Sequence, residues 1–181
     1  MRTPVEINDP DSAELSARHQ TESVSTRETV LFGAGCFWGI EAAFRKVDGV
    51  TETRVGYSGG HTTSPTYEEV CGHNSGHAEV VEVEFDPAQI TFQELLRVFW
   101  KMHDPAAAHR TGPDAVGQYR SAIFFFTPAQ EAVARSSRDK LQLSAGRPIG
   151  TEISPATTFH PAEEYHQRYH EKHAQRAYPL P

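Results

Sequence analysis

Apolar and polar positions follow two different periods along this chain, and the changes between them divide it into predicted strands and helices. The run 29–34 is apolar and β-branched and predicts a strand, whereas residues 37–47 carry apolar side chains at helical spacing. Residues 50–57 predict a second strand. The alternation of 79–85 predicts a third, with one apolar face.

The second half of the chain repeats this alternation of strand and helix. Thr91 and Glu94 form a capping box that predicts a helix start, and Pro128 suits the first position of another helix. The predicted elements are a helix from Thr91 to His103, a strand from Tyr119 to Phe126 buried on both faces, a helix from Thr127 to Gly146, a short strand at 149–153 and a final helix from Pro161.

The order β-α-β-β-α-β predicts an α+β fold, a two-layer sandwich with a ferredoxin-like core and C-terminal additions. Two long loops, 58–76 and 104–117, interrupt this pattern, and long loops within a domain are usually functional or mobile. Residues 1–27 are polar and are expected to form a flexible tail. Residues 28–181 are expected to form one catalytic domain.

Composition narrows the possible functions of the chain. With 181 residues, 38% hydrophobic and 23% charged, it fits one globular domain, which we expect to be a monomer. The net charge of -7 argues against non-specific nucleic-acid or anionic-membrane binding. The sequence lacks an apolar run of membrane-spanning length and an N-terminal secretory signal, and its two cysteines suit the cytoplasm.

Cys36 stands between the first predicted strand and the first predicted helix, directly before Phe37 and Trp38. A first-turn position would stabilise its thiolate through free backbone N–H groups and the helix dipole, which would lower its pKa. At least one of the two aromatic rings is expected to line a pocket beside the sulfur. The alternative is that Cys36 is simply a small buried side chain, as free cysteines commonly are.

Glu79 shares a strand face with the apolar side chains of Val81, Val83 and Phe85. A carboxyl at the edge of a core favours its neutral form, so its pKa should be raised and it could act as a general acid. The alternative is that Glu79 reaches solvent from the start of its strand. The residues alone leave the two readings equal.

Several segments resemble the A-type peptide methionine sulfoxide reductases and occur in the order of that family. They are GCFWGIE (35–41), GYSGG (56–60), PTYEEVC (65–71), GHAEV (76–80), QYRSAI (118–123) and AEEYHQ (162–167). The resemblance covers about residues 29 to 170. It implies the same α+β core and reduction of the S epimer of methionine sulfoxide, free or in peptides, without a metal or organic cofactor.

The resemblance also assigns roles to individual side chains. Cys36 would be the nucleophile that becomes a sulfenic acid, and Glu79 would protonate the sulfoxide oxygen. Tyr67 and Tyr119 would hold that oxygen, although an arbitrary tyrosine is more often a packing residue. The substrate-binding residues would be Phe37, Trp38 and Asp114. The loop after Asp114 departs from the family pattern, because Val116 stands where the family commonly has glycine.

Reduction of the sulfenic acid needs a second thiol. Many members of the family carry resolving cysteines in the C-terminal tail, but residues 171–181 contain none. The thiol is therefore either external (thioredoxin, glutaredoxin or a small thiol), which we favour, or Cys71 after a loop movement. A passive role for Cys71 is the commoner behaviour of a free cysteine.

The histidines offer a metal site as a further possibility. His160, His166, His170 and His173 cluster near the C-terminus, but the chain lacks a His-Glu-x-x-His motif and paired cysteine ligands. We therefore predict no metal and expect His166 to support the site through hydrogen bonds.

Two other functions compete with the reductase: a cysteine peroxidase and a non-enzymatic sensor of oxidised methionine. A peroxidase would require Arg and Thr near the cysteine.

Overall fold

A single mixed sheet of six strands organises the molecule. The computed structural model describes residues 27–72, 74–106 and 117–174, so the predicted tail lies outside them except for Arg27. The strands are β1 (Glu28–Ala34), β2 (Val50–Ser58), β3 (Ala78–Phe85), β4 (Ser121–Phe125), β5 (Glu152–Pro155) and β6 (His160–Pro161). The helices are α1 (Phe37–Phe44), α2 (Tyr67–Cys71), α3 (Phe92–Met102), α4 (Pro128–Ala145) and α5 (Tyr169–Ala174).

The predicted ferredoxin-like core is confirmed. The sheet runs β5-β4-β1-β3-β2-β6, and its four central strands pair antiparallel. The additions extend this core at both edges, β5 parallel to β4 and β6 antiparallel to β2. Strand β1 is central because it pairs with β3 on one side and with β4 on the other. Its apolar side chains, such as Phe32, are fully buried.

Helices α1 and α3 cover one face of the sheet and enclose the main core. Phe32 stacks on Phe44 of α1 at 5.0 Å and on Phe99 of α3 at 4.9 Å between ring centroids. On the opposite face Val80 and Phe124 form a smaller cluster beneath Ala156 and Phe159. Strand β4 is therefore buried on both faces, as its apolar run predicted.

Several predicted elements differ from the structure. The first helix ends at Phe44 rather than at residue 47, and the strand predicted at 149–153 lies at Glu152–Pro155. The loop 58–76 contains the short helix α2, which Thr66 and Glu69 cap reciprocally. Tyr119 lies in a turn before β4 rather than in the strand. The final helix is confined to α5, because Ala162 and Gln167 bond instead to the backbone of Val55 in β2.

None of the helices in the described ranges is both long enough and apolar enough to cross a membrane.

Candidate active site

The end of β1 and the start of α1 hold Cys36 at the edge of the sheet. Gly35 makes the connection with a φ of 96°, a conformation that L side chains rarely adopt. Cys36 follows as the N-cap of α1, with φ -59° and ψ 120° and without a side-chain cap. The sequence prediction is thus wrong by one residue, since Cys36 precedes the first helical turn. The residue as a whole is exposed.

The predicted direction of the Cys36 pKa is also wrong. Although the residue as a whole is exposed, desolvation of the thiol is the largest influence and raises its pKa. The backbone N–H of Trp38 lowers it, and the negative charge of Glu79 raises it further. The sequence argument counted the helix start and omitted the burial and the neighbouring carboxylate. The resting site therefore favours a neutral thiol.

Glu79, the second residue of β3, is buried beside the start of α1 with a relative exposure of 2%. One carboxylate oxygen, Oε2, accepts the backbone N–H of Phe37 at 3.1 Å, and Oε1 accepts Gln118 Nε2 at 3.4 Å. Burial outweighs these two hydrogen bonds and raises the pKa of Glu79 to about 7. The predicted perturbation is confirmed, and Glu79 can donate a proton near neutral pH.

Gln118 connects the carboxyl group to the second cysteine, a role that the sequence did not indicate. Its Nε2 lies 3.4 Å from Glu79 Oε1 and 3.4 Å from Cys71 Sγ. Its backbone oxygen accepts the N–H of Glu79 at 2.7 Å, which fixes the turn before β4 to the start of β3. A neutral amide does not by its residue type suggest a role in catalysis. Its position beside Tyr119, in the QYRSAI segment, is the one sequence feature that could have drawn attention to it.

The two tyrosines reach the same site from different elements. Tyr67 begins α2, and its hydroxyl hydrogen-bonds Cys71, which is the largest cause of its raised pKa. Tyr119 is 51% exposed, and its pKa is raised by burial and then by the charges of Glu79 and Cys36. Both hydroxyls thus remain protonated at neutral pH and can donate hydrogen bonds.

The two aromatic rings after Cys36 face different surroundings. Phe37 is 1% exposed and belongs to the core, while Trp38 is partly exposed. The indole Nε1 of Trp38 donates to His166 Nδ1 at 3.0 Å, and its ring stacks on Tyr169 at 3.7 Å. His166 therefore supports the site through a hydrogen bond, as predicted, and Trp38 is the ring that borders solvent.

Glu163 ties three parts of this site together and was not singled out from the sequence. Its carboxylate accepts the Tyr57 hydroxyl at 3.0 Å and the Tyr67 backbone N–H at 3.1 Å. It also lies 3.8 Å from His166 Nε2. Tyr57 and Tyr67 are 106 and 96 positions away from Glu163 in the chain. No local sequence pattern therefore reveals these two contacts. Glu163 positions Tyr67 and the histidine behind Trp38.

Two sequence expectations stand apart from this geometry. Asp114 lies outside the described residues, so its predicted substrate contact stays a prediction. The C-terminal histidines do not converge: His166 packs against Trp38, whereas His160 packs edge-on against His77 at 5.2 Å. Among the described residues, no three metal-ligating side chains lie close enough together to hold an ion.

Comparison with known proteins agrees with the resemblance in the sequence. The family model described as peptide methionine sulfoxide reductase matches residues 28–180. The peptide methionine sulfoxide reductase MsrA of Methanothermobacter thermautotrophicus is 56% identical over 156 residues, 84% of this chain and 92% of the relative.

Solved structures match the fold as well. Reduced Mxr1 from Saccharomyces cerevisiae superposes with a TM-score of 0.75 at 35% identity, over 86% of this chain and 90% of the other. Mxr1 in complex with Trx2 gives a TM-score of 0.57 at 26% identity, over 79% and 84%. The family match spans every residue from which the site described above is built.

Proposed function

The chain belongs to the peptide methionine sulfoxide reductase family and reduces the S epimer of methionine sulfoxide, and we propose that Cys36, Glu79, Tyr67 and Tyr119 carry this reaction. The observation that carries the proposal is the buried carboxyl of Glu79, with its pKa near 7, next to the helix start that bears Cys36. An acid and a nucleophile at one site are what a sulfoxide needs, because its oxygen leaves only after protonation.

The first step reduces the substrate and oxidises Cys36. Glu79 protonates the sulfoxide oxygen while Tyr67 and Tyr119 donate hydrogen bonds to it. The Cys36 thiolate attacks the electrophilic sulfoxide sulfur, so that an S–S bond forms while the S–O bond breaks, and the oxygen leaves as water with the protons of Glu79 and of the Cys36 thiol. A water molecule then attacks the Cys36 sulfur, the S–S bond breaks with its electron pair on methionine, and a proton returns to Glu79. In the net change the substrate sulfur gains two electrons and leaves as methionine, while Cys36 loses two electrons and becomes a sulfenic acid.

The raised pKa of the Cys36 thiol fits this sequence of events. The carboxylate of Glu79 opposes ionisation of the thiol in the resting site. A protonated Glu79, hydrogen-bonded to the sulfoxide oxygen, no longer carries that charge, so the thiolate becomes easier to form when substrate is bound. The acid and the nucleophile are thus coupled electrostatically.

Substrate orientation is assigned to the aromatic side chains. The partly exposed Trp38 supplies the apolar surface for the methyl group of the sulfoxide. Phe37 supports that wall from the core, since both rings contact His166 at centroid distances of 5.2 and 5.6 Å. Asp114 remains a predicted part of the binding site.

Turnover requires a thiol reductant that comes from outside the chain. The crystal structure of the yeast relative with Trx2, a thioredoxin, supports a protein of that class, with glutaredoxin or a small thiol as alternatives. The reaction as written uses no metal and no organic cofactor. A cytoplasmic location and a monomeric state stay predictions from the sequence.

The experiment that tests this function is turnover of the separated S and R epimers of a peptide methionine sulfoxide with dithiothreitol as reductant. We expect repeated reduction of the S epimer only, and Cys36→Ser should abolish it. Full activity in Cys36→Ser would contradict the mechanism. A single turnover that never repeats would favour the sensor function, and rapid consumption of hydrogen peroxide would favour a cysteine peroxidase.

A further inference from the structure

We propose that Cys71 is the resolving cysteine of this enzyme and closes a disulfide with Cys36 before the external reductant acts. The inference rests on the proposed function, because it takes the Cys36 sulfenic acid as its starting point. It changes the role of the reductant, which would then reduce a Cys36–Cys71 disulfide rather than a sulfenic acid.

A short series of contacts connects the two cysteines. Gln118 Nε2 lies 3.4 Å from Cys71 Sγ and 3.4 Å from Glu79 Oε1. The other oxygen of Glu79 lies 3.1 Å from the backbone N of Phe37, the neighbour of Cys36. The sulfur of Cys71 is thus one side chain away from the proposed acid and belongs to the same site.

The hydroxyl of Tyr119 gives an independent sign of this proximity. The charges of Cys36 and Cys71 both act on it and raise its pKa, in addition to burial and the charge of Glu79. The hydroxyl of Tyr67 also interacts with Cys71. Both hydroxyls assigned to the sulfoxide oxygen are therefore near Cys71, and that of Tyr119 is near Cys36 as well.

Cys71 lies at the end of a very short helix. Helix α2 has five residues, and Cys71 is its last, followed by Gly72. Helices of about one turn have little stability of their own. The capping box of Thr66 and the buried Val70 hold the other parts of α2, so only its C-terminal end needs to unwind. A disulfide requires the two Cα atoms to come within about 7 Å.

The sequence supplies the remaining argument. The chain has two cysteines in 181 residues, and its C-terminal residues 171–181 contain neither. Within these 181 residues, Cys36 and Cys71 are the two cysteines that a disulfide can join. As residues, Cys36 is exposed and Cys71 is partly exposed.

The proposed step balances without a further reactant. The sulfur of Cys71 attacks the sulfur of the Cys36 sulfenic acid, the S–S bond forms and the S–O bond breaks. The leaving hydroxide takes the proton of the Cys71 thiol and departs as water. A protein dithiol of the thioredoxin class then reduces the disulfide and is itself oxidised to a disulfide.

The test is a single turnover without reductant, in which the enzyme is mixed with excess S-epimer peptide and quenched with an alkylating agent. We expect about one methionine per chain, no free thiol, and a Cys36–Cys71 cross-link in the peptide map. Cys71→Ser should still form one methionine per chain, which shows that it is folded. Its Cys36 should remain a sulfenic acid that dimedone captures, and its thioredoxin-driven turnover should fall at least tenfold.

Cys71→Ala, in the same experiment, separates loss of the thiol from any effect of the new hydroxyl. The proposal is overturned if Cys71 of the native enzyme is alkylated after turnover while Cys36 is captured by dimedone. It is also overturned if both variants turn over with thioredoxin as fast as the native enzyme. Absence of methionine in the native enzyme would instead overturn the proposed function itself.

Discussion

The two ends of strand β3 carry carboxylates of opposite character. At its start Glu79 is buried, and its partners are a backbone N–H and the amide of Gln118. Further along, Glu82 hydrogen-bonds Arg54 at 2.7 Å, and Glu84 pairs with Arg27 at 2.8 Å on the open face of the sheet. The same residue type on one strand is therefore an acid at one end and a surface ion-pair partner at the other.

Burial makes the difference, because no cationic side chain among the described residues acts on the Glu79 carboxyl. Transfer of a carboxylate away from water favours its protonated form, and hydrogen bonds from an N–H and an amide offset only part of that cost. An arginine beside the carboxyl would hold it ionised. The placement of arginines on the other face of the sheet is thus as important for the site as the burial of Glu79.

The largest effect on activity is expected when each carboxyl is replaced by its amide. Glu79→Gln keeps the shape of the side chain but removes the proton donor, so kcat/KM should fall by about 10²- to 10⁴-fold, the usual contribution of a general acid. Glu82→Gln on the same strand is the matched control and should stay within about twofold, because alternate residues of a strand face opposite sides of the sheet and Glu82 lies on the side away from Glu79. Equal losses in the two variants would contradict the comparison.

The second largest effect is expected in the pH dependence of the free energy of unfolding. The raised pKa of Glu79 means that the folded state keeps this proton between about pH 4.5 and 7 while the unfolded state loses it. The native fold is therefore destabilised progressively as pH rises through that window. Glu79→Gln removes this penalty and should increase the free energy of unfolding by about 3 kcal/mol at pH 8 relative to its effect at pH 4.

Urea denaturation of both proteins at pH 4, 6 and 8 measures this difference directly. The comparison at pH 4 serves as the control, because Glu79 is then protonated in both the folded and the unfolded protein. A constant difference between variant and native enzyme over the whole range would show that Glu79 titrates normally.

The reactivity of Cys36 provides the smallest and most specific effect. The charge of Glu79 raises the pKa of the Cys36 thiol, so Glu79→Gln should make alkylation of Cys36 by iodoacetamide several-fold faster at pH 8. At pH 5.5 Glu79 is largely protonated, and the two rates should converge. The variant would thus be a poorer enzyme with a more reactive cysteine; a slower alkylation at pH 8 would refute the proposed coupling.

The sequence was sufficient for those features that depend on local pattern. The pattern of apolar residues predicted the central strands. The position of Glu79 on the apolar face of β3 offered a buried acid as one of two readings, and the resemblance to the family decided between them.

Features that depend on contacts between distant segments were missed. Gln118 and Glu163 act through hydrogen bonds to residues far away in the chain, and their residue types carry no distinctive signal. The pKa of Cys36 was predicted in the wrong direction because desolvation depends on what packs around the thiol. The final helix was predicted too long because its first half bonds to β2.

The central claim is that Glu79 holds a proton near neutral pH at the mouth of the site. The most direct test is a ¹³C NMR titration of enzyme labelled at its glutamate carboxyl carbons, with Glu79→Gln identifying the Glu79 signal by its absence. We predict a midpoint near pH 7 for Glu79. A midpoint near 4.5 would mean that Glu79 is an ordinary carboxylate and would contradict the account.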